Sequence, residues 1–128
     1  MPVHYELHRH LGGAIVPRVF WRYLHRKGHI LSTRFPRYEM LERYMTRPRS
    51  SLVDYLQLHR MVEGVQRLEA LPYFVSKLVR GAYVFENIEY LELRYTPYLR
   101  TSESSAKENR LQQMEEVVDI IAEAARLP

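Results

Sequence analysis

The sequence has no cysteine and only one tryptophan, and it has no long apolar run. Each absence excludes something. Without cysteine there are no disulfides and no thiolate ligands, so any metal would have to be held by histidine and carboxylate. No apolar stretch approaches the roughly 18 residues that a membrane-spanning helix requires. Nor is there the uninterrupted apolar core of a signal peptide, because His4, Glu6, His8, Arg9 and His10 break the N-terminal segment. The expectation is a cytoplasmic protein with no membrane partner. Internal repeats and low-complexity segments are also missing. What remains is an ordinary globular composition, 46% hydrophobic and 27% charged over 128 residues, enough for one domain with its own core.

The net charge of +4 is unevenly spread. Basic residues predominate from Arg18 to Arg49, opposed only by Glu39 and Glu42, whereas the last stretch is acidic, with Glu103, Glu108, Glu115, Glu116, Asp119 and Glu123. Arg34, Arg37, Tyr38, Arg43, Tyr44, Arg47 and Arg49 mix cations with aromatic rings, as single-strand nucleic-acid binders do. No nucleic-acid motif accompanies them and the rest of the chain is neutral or acidic, so this reading is the rival rather than the choice.

Periodicity suggests an order of elements. Residues 3–10 alternate, with Tyr5 and Leu7 facing one way and His4, Glu6, His8 and His10 the other, which predicts a short strand. Gly12 and Gly13 break it. Pro17 opens a helix that Gly28 ends. Residues 32–48 show no clean period and read as loop with a short helical turn. Ser51 and Asp54 form a capping-box pattern that opens another helix, with Leu52, Tyr55, Leu56 and His59 on one side. A further helix carries Leu71, Val75, Leu78 and Ala82, with Pro72 at its start or at a kink. Residues 88–97 form the clearest strand, with Tyr90, Glu92, Arg94 and Thr96 on one face. Ser105 and Glu108 repeat the capping pattern before a helix with Leu111, Met114, Val118, Ile121 and Ala125 on its stripe. Strand, helices, strand, helix is the order of an α/β protein with parallel strands.

His8-Arg9-His10 is the constellation that carries chemistry. Side chains two apart on a strand leave the same face, so both imidazoles can reach one ion. Zinc takes neutral imidazole nitrogen, and a catalytic zinc ordinarily takes three protein ligands plus water, so two histidines are not a whole site. Among six histidines such a pair also arises readily by chance. His25 and His29, four apart, could share a helix face as zinc ligands sometimes do. Gly28 marks a helix end there, where a cation is favoured by the dipole, and that is the preferred reading. His59 reads as an ordinary part-buried helix residue. Glu92 and Arg94 read as a structural ion pair rather than as catalytic groups.

The residues around the histidine pair raise its weight. Glu6-Leu7-His8-Arg9-His10-Leu11-Gly12-Gly13-Ala14-Ile15 resembles the opening signature of the adenosine deaminase family, a Glu-Leu-His-x-His-Leu-Asp-Gly-Ala-Ile pattern at the end of the first barrel strand. Leu91-Glu92-Leu93-Arg94-Tyr95-Thr96-Pro97 resembles that family's second strand. Ser51-Leu52-Val53-Asp54-Tyr55-Leu56 resembles its helix bordering the substrate cleft. The three segments stand in family order, and the long helical excursion between the strands is a family trait, since an ordinary crossover is far shorter.

The resemblance implies hydrolytic deamination of a purine or purine nucleoside at C6, with Zn²⁺ as the cofactor. It makes His8 and His10 two metal ligands. Gly12, Gly13, Leu52, Tyr55 and Leu56 become substrate-binding positions, Gly13 through close approach to the backbone and the three side chains as an apolar gate. Without the resemblance those three would be read as core. The fold it implies is the N-terminal part of a (β/α)₈ TIM barrel, two strands plus a helical excursion, with residues 1–128 forming a single partial domain. Such a barrel needs about 250 residues. The family's remaining ligands and its catalytic acid and base lie on later strands, so no catalytic residue is assigned here. The expected partner is the remaining C-terminal part of the barrel, and the chain alone is expected to be inactive. One position departs from the pattern: Gly12 stands where adenosine deaminases have an aspartate that hydrogen-bonds the ribose. The alternative class is a non-catalytic remnant or an interaction module.

Overall fold

Two elements of the chain are strands and they pair with each other, although most of the sequence separates them. The computed structural model describes residues 2–102 and 105–126. Strand β1 (His4–His10) lies parallel to β2 (Ile88–Arg94). Parallel strands cannot be joined by a tight turn, and here the crossover contains five helices: α1 (Pro17–Arg26), α2 (Leu31–Arg34), α3 (Tyr38–Thr46), α4 (Leu52–Val65) and α5 (Leu71–Glu86). A 3₁₀ turn, η1 (Pro97–Arg100), and helix α6 (Lys107–Ala125) follow β2. The described residues therefore form a mixed α/β structure with two parallel strands and six α-helices.

The chain divides into two compact units. One takes the chain up to Ala14 and from His59 onward; the other is Ile15–Leu58. In the first, α5 packs on α6 and on β2, and α6 packs on η1. Its core is aliphatic and aromatic, with Leu71, Phe74, Val75 and Val117 buried. Pro72 sits in the first turn of α5, where its missing N–H would have had no partner, and does not kink the helix. Asn87 ends α5 in the left-handed conformation (φ 55°), its amide donating to the Ala82 carbonyl, a known role for Asn just past a helix. Its side-chain amide also donates to the Pro2 carbonyl (2.6 Å), tying down the entry to β1.

The second unit corrects the expectation of a loop at 32–48. Both α2 and α3 lie there, and α1 packs against each of them. Leu41 is the only side chain of α3 that is buried, so no apolar stripe could announce the helix. Aromatic rings and guanidinium groups hold it instead. Arg18 lies over Tyr38 at 4.0 Å, Arg34 and Arg49 over Tyr44 at 4.7 and 4.8 Å, and Phe35 packs on Tyr44.

Two expected faces also differ. In α6 the buried positions are Val117, Ile121 and Ala124, while Leu111 and Val118 are exposed. Two apolar stripes overlap on this helix, and packing against α5 selects one of them. In α4 the buried positions are Val62 and Val65, not the stripe of Leu52, Tyr55 and Leu56. Among the described residues no helix is long and apolar enough to cross a membrane.

Candidate functional site

The two histidines of the strand converge. His8 Nε2 and His10 Nε2 are 3.0 Å apart, with ring centroids at 4.9 Å. Two imidazole lone pairs aimed at one point repel each other unless a proton or a cation lies between them. Two ligands of a tetrahedral zinc, each bonded at about 2.0–2.1 Å, would stand about 3.4 Å apart. At 3.0 Å the pair has the spacing of an N–H···N hydrogen bond, and a parting of the rings by about 0.4 Å would admit such an ion. No third His, Cys, Asp or Glu among the described residues joins them into a metal-holding group.

Strict alternation does not place these rings, because β1 is irregular between Glu6 and Arg9. The Glu6 carboxylate accepts a hydrogen bond from the His8 amide (3.1 Å) and meets Arg9 three residues on (3.4 Å). Arg9 in turn donates to Glu86 at the end of α5 (2.7 Å). Tyr5 packs beside Tyr90 of the neighbouring strand, ring centroids 6.4 Å apart, which puts it on the face of Tyr90. Glu6 and Tyr5 have thus exchanged the faces that a period of two assigns them. The extra residue between Glu6 and Arg9 shifts the parity of Glu6 and Tyr5, and a second shift between His4 and Tyr5 ends its reach. On β2, Arg94 and Glu92 form the expected ion pair at 3.6 Å. Tyr90 donates to Glu92 (3.2 Å), and that carboxylate raises the tyrosine's pKa.

Beyond the strand, Leu11 is buried and its amide donates to the Arg94 carbonyl (2.9 Å), which locks the end of β1 onto β2. Gly12 is buried next to it. A Cβ on Gly12 would lie 2.6 Å from Glu63 Oε1 and 2.9 Å from Glu63 Cγ. The side chain of Glu63, reaching across from α4, takes the volume that any other residue at 12 would need. Gly13 is exposed and its Cβ position is 3.5 Å from the His59 ring, an ordinary contact. Its backbone is therefore open to approach.

Beneath Glu63 lies Arg100, 1% exposed. Its guanidinium is 4.0 Å from Glu63 Oε1 and donates weakly to the Gln66 side chain (3.5 Å) and the Thr96 carbonyl (3.4 Å). Burial lowers its pKa, with Glu63 and Tyr95 opposing, but an arginine stays protonated. Glu63 also lines a cleft of about 400 Å³ with Arg60, Tyr98 and Arg110 among its walls. Neither Glu63 nor Arg100 stood out in the sequence. Glu63 sits in an apolar run of α4 and Arg100 in a turn, and only the fold brings them to Gly12.

In the second unit, Leu52, Tyr55 and Leu56 are exposed, at 71, 48 and 43%. They are not core, so the reading they would receive without the family pattern is corrected. The first turn of α4 is firmly anchored. Ser51 Oγ accepts from the Asp54 amide (3.1 Å), as a capping serine should. The Asp54 carboxylate takes two hydrogen bonds from Arg47 (3.2 Å each) and one from the Ser50 amide (3.1 Å). These hold its pKa below the usual aspartate value, the Arg47 bond first. The second capping box does not form. Ala106 precedes α6 and no side chain caps it, while Ser105 Oγ accepts from Gln113 instead (2.9 Å).

The rival features are accounted for within the unit. His25 Nε2 lies 2.9 Å from the Phe35 carbonyl and its ring packs on Trp21. His29 Nδ1 accepts from the Leu31 amide (3.1 Å), beyond the helix end at Arg26. Of the basic and aromatic residues between 34 and 49, Tyr44 is covered by Arg34, Arg47 and Arg49. A stacking platform for bases needs uncovered rings.

Searches among curated proteins and among solved structures return no match. A family model described as adenosine deaminase matches residues 4–127, from the first residue of β1 to beyond the end of α6. The chain belongs to the adenosine deaminase family.

Proposed function

We propose that this chain is the N-terminal portion of a zinc-dependent barrel enzyme that hydrolyses the C6 amino group of a purine or purine nucleoside. The observation that carries the reading is the convergence of His8 and His10 at the end of a parallel strand, 3.0 Å between their Nε2 atoms, in a chain of this family. His8 and His10 would hold the ion through Nε2. When bound, the ion supplies an activated water at neutral pH. The chain's own groups do the positioning. The Glu6 carboxylate fixes the His8 backbone, Arg9 is tied to α5 through Glu86, and the Leu11 amide pins the strand end to β2. Gly13 leaves backbone room for the ring; Leu52, Tyr55 and Leu56 are exposed apolar side chains within their own unit and are proposed as substrate-binding positions on the family pattern alone.

The remaining ligands and the groups that move protons belong, in this reading, to further strands of the barrel. Support comes from the sheet itself. Tyr5 and Leu7 of β1 are 68 and 58% exposed, and a two-stranded parallel sheet leaves unpaired edges on both sides. The test uses the complete protein. It should contain about one zinc per chain by elemental analysis and release ammonia from adenosine or another 6-aminopurine. A complete protein that retains no metal and deaminates no purine would overturn the proposal.

A further inference from the structure

Residues of α4, η1 and α6 line a cleft of about 400 Å³ in the first unit, and its walls hold three arginines, Arg60, Arg67 and Arg110, against one carboxylate, Glu63. We propose that this cleft binds an organic phosphate monoester, the guanidinium groups taking the phosphate while Tyr98 and Leu99 take the group attached to it. The site is built within the first unit and does not depend on the deaminase reading.

Three observations carry it. First, two of the guanidinium groups are brought to one residue by neutral acceptors. Arg67 donates to the Thr101 carbonyl and, from Nε, to the Gly64 carbonyl (3.1 Å). Arg110 donates from Nε to Thr101 Oγ1 (2.9 Å) and stacks on the Tyr98 ring at 3.8 Å. Thr101 itself is fully buried, so the point where they meet is fixed. Two like charges held this way repel each other until an anion joins them. A guanidinium already fixed in direction is also the group best suited to grip a phosphate through paired hydrogen bonds. Second, the cleft's own carboxylate serves another cation. Glu63 is the ion-pair partner of Arg100, 4.0 Å away and 1% exposed. No carboxylate among the described residues bonds Arg110, and Arg60 is exposed with neither a hydrogen bond nor an ion pair among them. A concave surface with positive charge left over concentrates anions. Third, the remaining wall is apolar. Tyr98 and Leu99 are 48 and 45% exposed, and the volume lies in the range of small-molecule sites, which run from about 300 Å³ upward. A lone oxyanion would leave that wall uncovered.

A nucleic-acid backbone suits the place less well. It would have to continue past the cleft along α6, where Glu115, Glu116 and Asp119 are exposed, and those carboxylates repel a chain of phosphates. A single phosphate with a small organic group ends before it meets them.

The test is calorimetry on the complete protein with phenyl phosphate, inorganic phosphate and phenol. Phenyl phosphate should bind at about one per chain and roughly 10-fold more tightly than inorganic phosphate, as burial of apolar surface on the Tyr98 and Leu99 wall implies, and phenol should not bind. Arg60 holds nothing else in the chain, so Arg60→Gln should keep the wild-type melting temperature while weakening phenyl phosphate about 10–100-fold, the worth of a hydrogen bond to a charged group. Arg60→Lys, which keeps the charge without the fork, should fall between the two. Arg43→Gln, at an exposed residue of α3 in the other unit, should bind as wild type does. Phenyl phosphate binding no more tightly than inorganic phosphate would mean an adventitious ion only and overturns the proposal. Unchanged affinity in Arg60→Gln, an equal loss in Arg43→Gln, or no binding at all overturns it as well.

Discussion

The chain contains two closely spaced histidine pairs, and they have opposite fates. His8 and His10 bring their Nε2 atoms to 3.0 Å. His25 and His29 are each engaged separately, one with the Phe35 carbonyl and Trp21, the other with the Leu31 amide. The difference lies in what the local backbone does. At the first pair β1 stays paired to its last residue and is irregular between Glu6 and Arg9, where Glu6 holds the His8 amide, and the two rings come together. At the second, α1 ends at Arg26 and Gly28 turns the chain left-handed (φ 60°), so the i,i+4 relation is lost before it can act. Spacing proposes a pair, and backbone geometry decides whether it converges.

The largest expected effect would break or keep that contrast directly. His8→Ala or His10→Ala in the complete protein should weaken zinc retention by more than about 100-fold, beyond what loss of a supporting contact alone causes, and should abolish turnover. His25→Ala and His29→Ala should leave zinc stoichiometry unchanged. Elemental analysis after dialysis separates the pairs. Retained zinc in His8→Ala would erase the distinction.

The contrast sharpens at Tyr44, whose ring is covered by three guanidinium groups in the same unit as the second pair. Tyr44→Ala should destabilise that unit by about 1–3 kcal/mol, a few cation–π contacts' worth plus lost burial. Denaturant titration measures it. Wild-type binding to single-stranded oligonucleotide should be weak. Tight binding with a steep salt slope would instead revive the nucleic-acid reading.

A smaller effect tests the same lesson on the two serines. Ser51 caps α4 and Ser105 does not cap α6. Ser51→Ala should cost about 1 kcal/mol and accelerate hydrogen exchange of the Asp54 amide. Ser105→Ala loses only the bond from Gln113, and first-turn exchange in α6 should be unchanged. Equal fraying in both variants would show that the caps are equivalent after all.

The smallest concerns acid. Asp54 has a lowered pKa in the folded chain, so the folded state holds its proton less tightly than the unfolded state. Its contribution is present above the ordinary carboxylate value of about 4 and is lost as pH falls through the folded pKa. A plot of α4 stability against pH should therefore decline less steeply below about pH 4 in Asp54→Asn than in wild type. The exposed setting keeps the effect modest, and added salt should shrink it further.

Much of the frame is legible in the sequence. The parallel strands, the helices opened by Pro17, Ser51 and Leu71, and the family signature at Glu6–Ile15 follow from period and from motif residues. The α2 and α3 helices could not be read, because Leu41 alone is buried in α3 and stacked rings do the rest. The burial face of α6 was ambiguous, since Val117 and Val118 stand side by side and either could turn inward.

The sequence by itself determined which residues are chemically able to act: two imidazoles two apart on a strand, in a chain with no thiolate. Only the tertiary structure decided where the carboxylate near Gly12 comes from. Glu63 is distant along the chain from Gly12, and nothing in its neighbours on α4 marks it. The packing of α4 beside the end of β1, with Arg100 buried beneath, brings it there. Local pattern fixes what a residue can do, because period and side-chain chemistry are local. Which residues meet depends on long-range packing, in which apolar burial selects one arrangement of the elements and carries the polar side chains with it.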